Sequence, residues 1–115
     1  MGASFATHWK DSLMPFENHH GNRSFTMISI GNNAPAASGV YGLADASQWL
    51  YIGETYNIQA ELLKHLQRPA PFLEGHYPSG FTYELSSAER RIERQNQLVS
   101  ELHPIGNRLL DEPSN

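Results

Sequence analysis

Gly39-Val-Tyr-Gly-Leu-Ala-Asp-Ala-Ser-Gln-Trp-Leu-Tyr-Ile-Gly-Glu-Thr-Tyr-Asn-Ile58 is the most informative stretch of this chain. Its two ends, Gly39-Val-Tyr-Gly-Leu43 and Gln48-Trp-Leu-Tyr-Ile52, favour strands. The polar residues 44–47 between them have the composition of a hairpin connection. Immediately afterwards the period changes. Ile58, Leu62, Leu63 and Leu66 fall on one stripe of a helix spanning 55–67, with Asn57 or Thr55 able to cap its start. Arg68-Pro69 ends it, because a proline disfavours helical geometry in the residue before it.

Outward from this unit the signals are shorter. On the C-terminal side, residues 69–80 hold three prolines and two glycines and read as a loop, and Phe81-Thr-Tyr-Glu-Leu85 alternates like a half-buried strand. Ser86 or Ser87 can cap a helix over 88–102. Ile92, Val99 and Leu102 are expected to face the core, with Leu98 flanking and Glu89, Arg90, Glu93 and Arg94 on the opposite face. His103-Pro104 stops it and 105–115 reads as a tail. On the N-terminal side, Ser24-Phe-Thr-Met-Ile-Ser-Ile30 is β-rich and reads as a strand. Residues 1–23 are irregular, with Trp9, Leu13 and Phe16 expected to pack onto the domain. The expected organisation is an extension over 1–35 with a strand at 24–30, a domain over 36–108, and a tail over 109–115.

Composition narrows the function. A chain of 115 residues supports one core. The absence of cysteine excludes disulfides, thiolate metal sites and cysteine nucleophiles together. Eight basic against twelve acidic residues give 8 − 12 = −4, which argues against phosphate-driven, non-specific binding of nucleic acid. Charged residues make up 17%, against about 25% in a typical domain. With no bilayer-length apolar run and no secretory signal at the start, a cytoplasmic protein without membrane contact is expected. His8, His19, His20 and His76 could suggest a transition-metal site, but adjacent histidines in an irregular loop point differently, and solvated side chains are the expectation.

The ordered set Gly39-Val-Tyr41, Tyr51-Ile-Gly53, Asn57-Ile58 and His65, followed by Phe81-Thr-Tyr-Glu84 and Leu98-Val99 with Pro104 and Asn107, resembles the GIY-YIG nuclease superfamily over residues 37–108. The resemblance implies an α/β fold: a small, mainly antiparallel sheet flanked by helices, with the N-terminal extension adding a strand or covering a face. In that family two strand tyrosines stand over one divalent metal held by a helix glutamate. An arginine stabilises charge developing on the phosphate, and a histidine one turn on supports proton transfer. Hydrolysis of a phosphodiester needs both the metal and the cation.

Carried onto this chain, the resemblance places Tyr41, Tyr51 and His65 at the catalytic positions and Gly39, Gly53 and Asn57 at the binding positions. It fails at two others. The arginine position is Glu61 and the metal glutamate is Gln95, a poor ligand for a hard cation. Glu93 is a weak substitute, about 200° around the helix from Gln95. Glu54 adds a second anion beside the tyrosines. The expectation is therefore a catalytically inactive domain, with no cofactor, that binds a protein partner or a structured nucleic acid. The alternative is a metal-dependent DNA endonuclease with a rearranged site, using Mg²⁺ or Mn²⁺. A third possibility is that the tyrosine pocket holds a small ligand.

Overall fold

A computed structural model describes Phe16 and residues 23–73 and 75–111. The hairpin forms as the composition predicts. Strands β2 (Gly39–Ala44) and β3 (Trp49–Thr55) pair antiparallel with Tyr41 opposite Gly53, and a bulge falls between Leu43 and Ala44. Asp45 closes the turn: its Oδ1 accepts from the Ser47 amide at 2.8 Å and the Gln48 amide at 3.0 Å. Strand β4 (Gly80–Leu85) adds antiparallel to the other edge of β2. The short β1 (Arg23–Ser24) adds to β4, giving a four-stranded sheet in the order β1-β4-β2-β3.

Each face of this sheet buries its own core, because successive side chains along a strand alternate sides. Tyr41, Leu43 and Phe81 point to one face. There they pack with Ile58 and Leu62 of α2 (Ile58–Gln67) and with Ile30 of α1 (Met27–Asn33). Val40, Ala44, Trp49 and Ile52 point to the other, against Leu98 of α3 (Arg91–Leu102) and against Phe16, whose ring centroid lies 5.7 Å from that of Trp49. Trp49 and Phe81 are core residues, as expected. A last helix, α4 (Ile105–Asp111), lies along β3. Among the described residues no helix is long and apolar enough to cross a membrane.

Four expectations are corrected. The strand over 24–30 is absent beyond Ser24, and most of that stretch is helix α1. The cause is capping: the Thr26 hydroxyl accepts from the Ser29 amide at 3.1 Å, and the Asn33 side chain donates to the Ser29 carbonyl at 2.9 Å. This local chemistry outweighs the strand preference of Ile28 and Ile30, at the cost of leaving Met27 62% and Ile28 77% exposed. The first α2 residue is Ile58, because Asn57 supplies the cap: its Oδ1 accepts from the Ala60 amide at 2.9 Å. In α3, Val99 and Leu102 pack against the core as expected, Leu98 joins them, and Arg91, Arg94 and Gln95 also turn to the sheet. Leu98 is fully buried and Ile92 is 56% exposed, the reverse of the expected order. Residues 105–111 are helical because Pro104 ends one helix and its carbonyl accepts from Arg108 to open the next. His8, His19, His20, Trp9, Leu13 and residues 112–115 lie outside the described residues.

Candidate functional site

Tyr41 stands in the middle of β2 and is 2% exposed. Its ring crosses β3 directly over Gly53, its register partner, where any β-carbon would collide with the phenol. That close approach is why glycine is required at position 53. Tyr51, two residues earlier on β3, shares the same face, and His65 reaches it from the last turns of α2. The three rings form a trio with centroids 6.1 Å apart for Tyr41–Tyr51, 5.5 Å for Tyr41–His65 and 5.7 Å for Tyr51–His65. The Tyr41 hydroxyl and His65 Nε2 share a hydrogen bond of 2.9 Å.

Gly39 has a comparable steric role. A side chain there would strike the Glu84 carbonyl and Ile58, so its absence lets α2 approach the sheet. The first turn of α2 is anchored by backbone bonds from Ile58 N–H to the Ala37 carbonyl and from Gln59 N–H to the Pro35 carbonyl.

The electrostatics of the trio follow from burial and from its acidic neighbours. Burial pushes the Tyr41 phenol far up, with Tyr51, Glu61 and Glu54 adding in the same direction. The Tyr51 phenol is raised by burial and then by Glu61 and Glu54. Burial lowers His65 below 6.5; Glu61 opposes this and Lys64 reinforces it. The trio is thus two neutral phenols and a neutral imidazole under a negative potential, and neither tyrosine is disposed to give up its proton.

Gln95 occupies a different part of the molecule. Its Nε2 donates to the Ile52 carbonyl at 3.0 Å. Asn107 of α4 grips the same residue from both sides: its Nδ2 donates to the Ile52 carbonyl at 2.8 Å and its Oδ1 accepts from the Ile52 amide at 2.8 Å. These groups lie on the side of β3 turned away from β2. The two amide side chains therefore play the part of a neighbouring strand on an exposed sheet edge. A carboxylate at 95 could not donate to that carbonyl and would set a negative charge against it.

Two further pairs, which sequence reasoning missed, hold α3 to the sheet. Arg94 grips Glu84 with two bonds, Nε at 2.8 Å and Nη2 at 3.0 Å, where the carboxylate is only 8% exposed. Arg91 Nε meets Glu54 at 2.6 Å, and its Nη1 donates to Ser38 at 3.0 Å. Arg91 shares one helical stripe with Gln95, Leu98 and Leu102, and that spacing is its signal in the sequence. Glu93 is exposed and lines an outer cleft of about 550 Å³ with Leu85, Arg90 and Gln97.

Comparison with solved structures identifies the fold. The chain is similar to the N-terminal GIY-YIG endonuclease domain of UvrC from Thermotoga maritima bound to its catalytic divalent cation, magnesium. The TM-score is 0.57 at 20% identity, over 68% of this chain and 94% of that one. A tyrosine-to-phenylalanine point mutant of that domain superposes equally, with a TM-score of 0.57 at 17% identity over 68% and 94% of the two chains. This chain has the GIY-YIG fold. No protein-family model and no curated protein matches it. At this level of identity the likeness is one of fold alone.

The donor set was tested against the cation that the fold family implies. Among the described residues no group of three or more His, Asp or Glu side chains is placed to hold a metal ion. Gln95 carries a neutral amide, whose Nε2 donates to the Ile52 carbonyl. These residues do not fit a hard divalent cation, which takes oxygen donors and favours carboxylates.

Proposed function

We propose that this chain is a GIY-YIG-fold domain that has lost phosphodiester hydrolysis and acts as a binding module. The observation that carries this reading is the Gln95 amide, committed as a donor to Ile52 at the position where the family's metal glutamate is expected. Glu61 strengthens it. Where a phosphate would need a cation there is an anion, and it adds to the burial that already holds both phenols protonated. The partner under this reading is a protein or a structured nucleic acid met through few phosphate contacts, since Arg91 and Arg94 are already paired with Glu54 and Glu84.

The retained Tyr41–His65 hydrogen bond favours a second reading, a metal-dependent DNA endonuclease with a rearranged site. Incubation with labelled branched, single-stranded and duplex DNA in Mg²⁺ or Mn²⁺ separates the two. The expected result is no cleavage with either ion. Cleavage that disappears in Tyr41→Phe would establish the second reading in place of the first.

A further inference from the structure

Beside His65, a cavity of about 150 Å³ opens between the end of α2, residues 69–73 and 77–78, and Leu43 of β2. Phe25, Leu43, His65, Leu73, Tyr77 and Pro78 are among the residues that line it. Three features distinguish it from a packing defect. Its size matches the volume that holds a single benzene ring, about 150 Å³ in apolar protein cavities. Phe25 and Tyr77 give it two aromatic walls beside the His65 imidazole, and Tyr77 lines it with 71% of its own surface exposed. Its described lining contains no Asp, Glu, Lys or Arg.

His65 supplies the one polar wall. Its Nε2 is engaged by Tyr41, and among the described residues its Nδ1 makes no hydrogen bond. Tyr41 is held as a neutral phenol and His65 as a neutral imidazole. With the phenol donating to Nε2, the imidazole proton sits on Nδ1.

We propose that this cavity binds a small uncharged molecule built on one aromatic ring that bears a hydrogen-bond acceptor. The ring packs against Phe25 and Tyr77, and the acceptor takes the Nδ1 proton of His65. The aromatic trio then serves as the floor of a ligand site and fixes the histidine's tautomer. This deepens the binding-module reading and rests on it. The two fail separately, since DNA cleavage would refute the module and leave the cavity unaddressed, whereas absent ligand binding would refute only the cavity.

The test is a titration of the full chain followed by ¹H–¹⁵N spectra, with three probes: benzamide, toluene and cyclohexanecarboxamide. Benzamide is expected to give saturable shifts at Leu43, Leu66, Leu73 and the His65 ring nitrogens. It should bind roughly three- to tenfold more tightly than toluene, the worth of one net hydrogen bond, and more tightly than cyclohexanecarboxamide. Ala70→Phe, which fills the cavity from its half-buried rim, should weaken benzamide at least about tenfold, consistent with overpacking a filled site. Tyr77→Ala removes only an exposed side chain and should weaken it severalfold, which keeps the test decisive should Ala70→Phe unfold. Absent saturation, shifts mapping to the cleft beside α3, equal affinity for the three probes, or binding untouched in Tyr77→Ala would each overturn the proposal.

Discussion

The two faces of the sheet treat charge in opposite ways. On the α3 face the two strand carboxylates each meet an arginine: Glu84 meets Arg94 and Glu54 meets Arg91, while the amides of Gln95 and Asn107 satisfy the free edge at Ile52. On the α2 face Glu61 stands above two neutral tyrosines and a neutral histidine with no ion pair among the described residues. One face spends its polar groups on holding helices to strands. The other carries an unneutralised anion beside the aromatic trio. The difference shows that the polar chemistry fastening helices to this sheet lies on the α3 face, where Gln95 stands.

The comparison breaks first at the amide clamp. Asn107→Ala removes both bonds to Ile52 and strands a buried amide, so it is expected to cost about 3 kcal/mol in urea unfolding. A loss within error of zero would mean that the clamp does not hold α4 to β3. The charge pairs come next. Glu84→Gln should cost about 2 kcal/mol, because it leaves Arg94 partly buried without its carboxylate. Glu54→Gln, where the carboxylate is 29% exposed against 8% for Glu84, should cost about 0.5 kcal/mol. Equal losses at the two sites would remove burial as the reason.

The smallest effect tests the tyrosine face through pH. His65 titrates below 6.5 in the folded protein, so between 6.5 and the folded value the unfolded chain binds a proton that the native state refuses. Stability is therefore full above 6.5, declines as pH falls through that window and levels off below it. His65→Gln keeps an acceptor for Tyr41 and should abolish the decline. A decline that persists in the variant would assign it to another group.

Much of this was legible in local chemistry. Turn composition located the hairpin, and the apolar stripe of Ile58, Leu62 and Leu66 located α2, because each signal depends on neighbours within one element. Residues 24–30 misled because their β-branched side chains speak for a strand, whereas a single threonine hydroxyl at position 26 starts a helix. The pairing of Tyr41, Tyr51 and His65 was anticipated through family resemblance. Their mutual distances depend on α2 approaching the sheet over Gly39 and on the Tyr41 ring crossing β3 over Gly53, which no spacing in the chain encodes. The Ile52 clamp was hidden for the same reason: Gln95 and Asn107 meet Ile52 across 43 and 55 residues. Substitution at the metal position was visible in the sequence, but the structural use made of Gln95 appears only in three dimensions.

The most direct test of the account is the unfolding midpoint of the wild-type chain and of Gln95→Glu, each with and without millimolar Mg²⁺. A ligand that binds the native state raises stability in proportion to its occupancy. The account predicts that Gln95→Glu is less stable than wild type by about 1 kcal/mol, through loss of the donor to Ile52, and that Mg²⁺ moves neither midpoint. A midpoint raised by Mg²⁺ in the wild-type chain, or a Gln95→Glu variant restored by it, would contradict the claim that this position serves the fold rather than a metal.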